Sequence, residues 1–139
     1  VCMDNNQVLA IISKAFPQAV ASSDQPYGQL HLTLSLEGKD FLSFMRYLRE
    51  DQTLSYTLLS DITATDWAPR TPRFDLVYIL YSVCNEHRLV LHMPVDEDKP
   101  VPSVSGIWHS ANWGEREVYD LMGIYFDQHP DLRRILTWD

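Results

Sequence analysis

Hydrophobic and polar positions along this 139-residue chain follow two periods, and the period in each stretch predicts its element. From Asp4 to Phe16, the residues Val8, Leu9, Ile11, Ile12, Ala15 and Phe16 recur at steps of three and four. That spacing marks an amphipathic helix, with Asp4 as its N-cap and an end forced before Pro17. Ser22 to Gly28 reads as turn. Leu30, Leu32, Leu34 and Leu36 then alternate with His31, Thr33 and Ser35, which predicts a half-buried strand. After a turn at Glu37-Gly38-Lys39, the residues Phe41, Leu42, Phe44, Met45 and Leu48 return to helical spacing between Asp40 and Glu50.

Three segments rich in β-branched and aromatic residues follow, at Tyr56 to Trp67, Phe74 to Val83 and Arg88 to Val95. Ala68-Pro69-Arg70-Thr71-Pro72 and Asn85-Glu86-His87 separate them, so they are expected to form a meander. The order α-β-α-β-β-β predicts an α+β domain whose helices pack on one face of a largely antiparallel sheet. Residues 1–95 are read as this core. Residues 96–139 are read as a loop, a short helix and an extended C-terminal arm of the same domain.

Composition agrees with a folded chain, since 45% of residues are hydrophobic and 22% charged. Eleven Lys and Arg against nineteen Asp and Glu give a formal charge of −8, which repels a phosphate backbone. The one dense basic site is Arg133-Arg134, so nucleic acid is not expected as a partner. The apolar stretch Leu76 to Cys84 is far short of the roughly 20 residues that a membrane helix needs, and direct membrane insertion is not expected. No secretory signal is visible at the start, although the chain begins with Val1 and not with Met. Cys2 and Cys84 belong to no Cys-x-x-Cys or Cys/His ligand pattern, which argues against zinc and iron–sulfur sites. Cys84 reads as a small buried apolar side chain.

The chemically distinctive stretch is Ser110 to Ile124. Asn112 is placed as an N-cap, with Glu115 three residues on to answer it, and Gly123 suits a left-handed helix end. A helix from Trp113 to Met122 follows. Trp113, Glu117 and Asp120 then share one face, which is expected to pack, and Arg116 stands four residues before Asp120. Carboxylates on a packed face need cationic partners, and Arg116, Arg133 and Arg134 are the candidates. Glu117 and Asp120 as a general acid and base would be the hydrolase reading. A metal site around His129, Asp127, Asp131 and Glu117 lacks any two-ligand spacing on one face. Neither Gly38 nor Gly106 belongs to a glycine-rich phosphate loop.

The strings Glu115-Arg116-Glu117, Tyr119-Asp120-Leu121, Gly123-Ile124 and His129-Pro130-Asp131-Leu132-Arg133-Arg134-Ile135-Leu136 resemble the signature of the respiratory-chain NADH dehydrogenase 30 kDa subunit family. Val101-Pro102-Ser103-Val104, Ala111-Asn112-Trp113 and Asp61-Ile62-Thr63-Ala64 are similar to stretches that the family carries before it. The resemblance implies a peripheral-arm subunit of a proton-pumping NADH:quinone oxidoreductase. It would lie on the cytoplasmic side of the bacterial inner membrane, or on the equivalent matrix side. Its implied partner is the large hydrogenase-like (49 kDa-type) subunit near the quinone site. NADH, FMN, iron–sulfur clusters and quinone would belong to partner subunits. Trp113, Glu115, Arg116, Glu117, Asp120, Gly123, His129, Pro130, Arg133 and Arg134 would carry the signature and the subunit interface. The equivalent subunit of a membrane-bound [NiFe] hydrogenase or formate hydrogenlyase carries the same Glu-Arg-Glu helix and stands as the alternative.

Overall fold

The computed structural model describes residues 4–18, 20–35, 38–66, 74–96 and 100–127. Helix α1 (Asn5–Ala15) starts where expected. The Asp4 carboxylate accepts the Gln7 N–H at 2.8 Å, and the Gln7 side chain accepts the Asp4 N–H at 3.1 Å, which is a reciprocal capping box. Val8 and Ile12 are its buried face.

Strand β1 (Val20–Asp24) lies partly where a turn was expected. Its Val-Ala-Ser-Ser-Asp sequence has no apolar alternation to announce it, and backbone pairing with β2 (Leu30–Leu34) makes it a strand. Helix α2 (Gly38–Glu50) begins inside the expected turn. Strands β3 (Leu58–Asp66), β4 (Phe74–Ser82) and β5 (His87–Val95) form the predicted meander. The sheet order is β1-β2-β5-β4-β3, with β2 and β5 parallel and the other neighbours antiparallel. The observed order of these elements is therefore α-β-β-α-β-β-β. Two short strands, β6 (Val101–Pro102) and β7 (Phe126–Asp127), pair in parallel and bracket helix α3 (Ala111–Met122).

One face of the sheet carries the core. Leu30, Leu32 and Leu34 of β2, Leu89, Leu91 and Met93 of β5, and Leu76, Tyr78 and Leu80 of β4 lie on it through the strand registers. Phe41 of α2 meets the Tyr78 ring at 5.7 Å between centroids, and Gly114 of α3 sits on Ile62, the cross-strand neighbour of Tyr78. The helices thus share this face. Edge strands β1 and β3 each carry a register shift, between Val20 and Ser22 and between Leu59 and Asp61. The second shift lets Leu59 and Ile62, three apart, both point into the core.

Tyr56, expected as the first residue of a strand, lies just before β3 and is buried. Its hydroxyl is 2.7 Å from His87 Nδ1, and His87 Nε2 is 2.7 Å from Asn5 Oδ1. The Asn5 amide nitrogen donates to Gly28 O at 3.0 Å, which orients its oxygen toward His87. His87 Nε2 therefore donates and Nδ1 accepts from Tyr56, a neutral ring joining α1, β5 and the chain entering β3. Cys84, expected to be buried, is exposed because it falls in the β4–β5 turn, beyond the last core position at Ser82.

Candidate functional site

The stretch from β6 to β7 folds back on itself before it meets the sheet. Val101 N–H donates to Tyr125 O at 2.8 Å and Ser103 N–H to Asp127 O at 3.0 Å, which closes the two ends. Between them Val104 O accepts from Ile107 and Trp108 N–H, at 3.0 and 2.9 Å. Trp108 is buried, and its indole N–H donates to Tyr56 O at 2.9 Å. Ser110 Oγ donates to Leu59 O at 3.1 Å. These bonds set the start of α3 against β3. There a Cβ at position 114 would stand 3.3 Å from Ile62 Cβ, so glycine permits the close approach.

The helix begins earlier than expected, at Ala111, with Ser110 at the N-cap position and its hydroxyl turned to Leu59 O instead of capping. The expected capping box of Asn112 and Glu115 does not form, because Glu115 points inward with Ala111 and Val118. A step of four and then three puts Glu115 on the buried stripe, whatever its charge. Its Oε1 accepts from Ser103 Oγ at 2.6 Å and its Oε2 from Val104 N–H at 2.8 Å. Ser103 Oγ in turn accepts the Ser105 N–H at 3.2 Å. Burial pushes the Glu115 carboxyl up to about 7, and the bonds from Ser103 and Val104 pull against that rise. The buried Tyr78 hydroxyl has no hydrogen-bond partner among the described residues. Burial and then the Glu115 charge hold its pKa well above the ordinary value.

The face expected to pack does not. Trp113 is 56% exposed and Glu117 is exposed, since the helix buries the Ala111–Glu115–Val118 stripe instead. Asp120 is half-buried. Arg116 is half-buried too, and its guanidinium lies 5.4 Å from the centroid of the Trp113 ring. Leu121 is 62% exposed and continues the line Trp113–Glu117–Leu121 at steps of four. Tyr125, 54% exposed, follows just past the helix end. Gly123 closes the helix as expected, with φ +75° and its N–H on Tyr119 O at 2.9 Å. A shallow hollow of about 130 Å³ lies beside Trp113 and Glu117, floored by Ile62 and edged by Ser60, Asp61 and Ser110. His129, Pro130, Arg133 and Arg134 lie outside the described residues.

Reading by residue type missed Ser103 and Trp108. The periodicity Ala111, Glu115, Val118, Met122 could have shown that Glu115 belongs inside and needs donors. Nothing short of the loop's path could have named Ser103 as one of them.

An α+β core with a signature helix laid over one sheet edge defines the class, and residues 34–139 match the family model described as "Respiratory-chain NADH dehydrogenase, 30 Kd subunit". The chain belongs to that family. It is 41% identical over 138 residues to the NADH-quinone oxidoreductase C-type subunit of Geobacter sulfurreducens, covering 98% of this chain and 83% of that protein. It is 39% identical over 132 residues to the corresponding protein of Rhizobium rhizogenes, covering 95% of this chain but only 65% of that longer protein. A solved trypsin-resistant fragment (1–134) of Nqo5 superposes with a TM-score of 0.76 at 32% identity, over 94% of this chain and 100% of the fragment. A chain of the membrane-bound sulfane sulfur reductase, an archaeal respiratory membrane complex, gives the same TM-score of 0.76 at 26% identity. That match covers 96% of this chain and 76% of the other. Among the described residues no helix is long and apolar enough to cross a membrane.

Proposed function

We propose that this chain is a non-catalytic peripheral-arm subunit of a proton-pumping NADH:quinone oxidoreductase, and that it docks through the outer face of α3 on the large hydrogenase-like subunit. The observation that carries the reading is the division of labour on that helix. Its inner face is anchored by Glu115, while Trp113 and Leu121 stand exposed on the outer one. Exposed aromatic and large apolar side chains beside an arginine are what an interface core uses. Arg116, Glu117 and Asp120 would supply its polar contacts, and His129, Pro130, Arg133 and Arg134 would extend it along the C-terminal arm. Residues 1–95 would serve as the scaffold and residues 96–139 as the assembling part of one domain. NADH, FMN, iron–sulfur clusters and quinone would then be held by partner subunits. The assembly would sit against the membrane on the cytoplasmic or matrix side, held there by those partners.

The test is a Trp113→Ala, Leu121→Ala double variant, assayed side by side for urea unfolding and for co-purification with the rest of the complex. Unfolding should shift by less than about 1 kcal/mol, because both residues are exposed. Affinity for the large subunit should fall about 30-fold or more, as when an interface anchor is truncated. Unchanged assembly would overturn the reading. The likeness to a chain of the membrane-bound sulfane sulfur reductase, an archaeal respiratory membrane complex, supports a second reading, the equivalent subunit of another membrane-bound respiratory complex. The identity of the proteins that co-purify separates the two.

A further inference from the structure

The sheet face away from the helices holds a cavity of about 340 Å³, lined among others by Ser22, Asp24, His31, Thr33, Asp75 and His92. Its floor is a chain of hydrogen bonds across three strands. Asp75 Oδ2 of β4 is 2.9 Å from His92 Nδ1 of β5, and His92 Nε2 is 2.8 Å from His31 Nδ1 of β2. The two ring centroids are 5.1 Å apart with planes 24° from parallel. That separation is what rings meeting nitrogen to nitrogen require, so they lie end to end and share one proton.

The tautomers follow in sequence. With Asp75 ionised, His92 Nδ1 must carry a hydrogen to donate to it. In a neutral His92, Nε2 is then a lone pair, so His31 must donate from Nδ1. That leaves His31 Nε2 as a lone pair, and among the described residues nothing bonds to it. Both rings are thus held as Nδ1–H tautomers by one carboxylate.

We propose that His31 and His92 form a one-proton relay, whose loading turns the free nitrogen of His31 from hydrogen-bond acceptor to donor. A proton arriving at His31 Nε2 forms the N–H bond there. The His31 Nδ1–H bond breaks as that hydrogen passes to His92 Nε2. The positive charge ends on His92, between Asp75 and the new lone pair on His31 Nδ1. One proton is taken up and the bond between β2 and β5 reverses without being lost. Above the transition this nitrogen is a lone pair, and below it an N–H. A second proton sets two N–H groups face to face and breaks the bridge.

The charged and titratable groups on this sheet face fit the scheme. Asp24, cross-strand from His31, favours a proton on that ring, whereas burial and the neighbouring His92 hold its pKa below the ordinary value. Arg88 of β5 and Asp96, just past the strand's end, stand four residues on either side of His92. Tyr81 of β4 lies opposite Arg88, and Asp61 of β3 accepts its neighbour Ile62 N–H at 2.9 Å. Asp75 is the carboxylate bonded to the pair.

Long-range ¹H–¹⁵N spectra of the imidazoles in the 139-residue chain, taken from pH 8 to pH 4.5, test this. Both rings should show Nδ1–H tautomers at pH 8, against the usual preference for Nε2–H. The first proton should make His92 an imidazolium and switch His31 to Nε2–H. Asp75→Ala removes the acceptor that orders the chain, so at pH 8 both rings should revert to Nε2–H without any proton uptake. Nε2–H rings in the wild type at pH 8 would overturn the proposal. So would a His31 that titrates without changing tautomer, or Asp75→Ala spectra identical to the wild type.

Discussion

Replacing Glu115 by glutamine should stabilise the fold at alkaline pH and do little in acid. The folded carboxyl sits at about 7 in place of an ordinary 4.5, with burial as the main cause. Between those values the unfolded chain has already lost this proton and the folded chain keeps it. Stability therefore falls as pH rises through the window from 4.5 to about 7, and levels off above it. Each tenfold change in proton affinity is worth about 1.4 kcal/mol, so ionising Glu115 costs the fold about 3 kcal/mol at pH 8. Glutamine can keep both bonds, accepting from Val104 N–H with its oxygen and donating to Ser103 Oγ with its amide. Urea unfolding followed by the fluorescence of buried Trp108 reads both proteins at each pH. The difference in their stability should swing by about 2 to 3 kcal/mol toward the glutamine variant between pH 5 and pH 8. Comparing the two cancels every titrating group that they have in common. A flat difference would mean that Glu115 is not the group that titrates. A glutamine variant that lost ground as pH rose would mean that the ionised form is the one the fold needs. Glu115→Ala, by contrast, leaves Ser103 and Val104 without this acceptor and should lower stability by about 3 kcal/mol at pH 5, a deficit that shrinks toward pH 8 as the wild-type carboxyl ionises.

His87 predicts an acid limb in the same curves. Burial lowers its folded pKa, so the unfolded chain binds the proton first, and stability should drop as pH falls below about 6.5. His87→Gln should shrink that limb in the unfolding profile, and the part that remains is expected from His31, whose pKa burial also lowers. Tyr78→Phe deletes a buried hydroxyl that has no hydrogen-bond partner among the described residues, and urea unfolding should show stability unchanged or raised by about 1 kcal/mol.

Helices α1 and α2, strand β2, the meander and the helix-closing Gly123 are legible in the sequence because each depends on local pattern, such as Asp4 before the helical spacing of α1, the alternation from Leu30 to Leu34, and a glycine at φ +75°. Strand β1 is not legible, because Ser22, Ser23 and Asp24 are strand only through β2 beside them. The signature helix lies where the sequence puts it but is turned the other way. By residue type a tryptophan suits the packed face and a glutamate the cap, yet the ring stands in solvent while the carboxylate is buried. Residue type points outward for Glu115, and helical spacing points inward. Spacing prevails because Ser103 and Val104 supply the donors that make burial tolerable. The bridge from His31 to His92 joins residues 61 apart in sequence, and only the parallel pairing of β2 with β5 brings them together.

The two register shifts fall on the two strands that end the sheet. A regular outer strand presents a straight row of unpaired backbone groups to any passing chain, and pairing through such rows is a common route to aggregation. A bulge twists the row out of line, and Asp24 on β1 together with Asp61 and Asp66 on β3 adds like charge to each margin. Two copies meeting margin to margin would bring misaligned ladders and repelling carboxylates together. A chain that exposes Trp113 and Leu121 needs that protection, since apolar surface already raises its tendency to self-associate in a crowded solution.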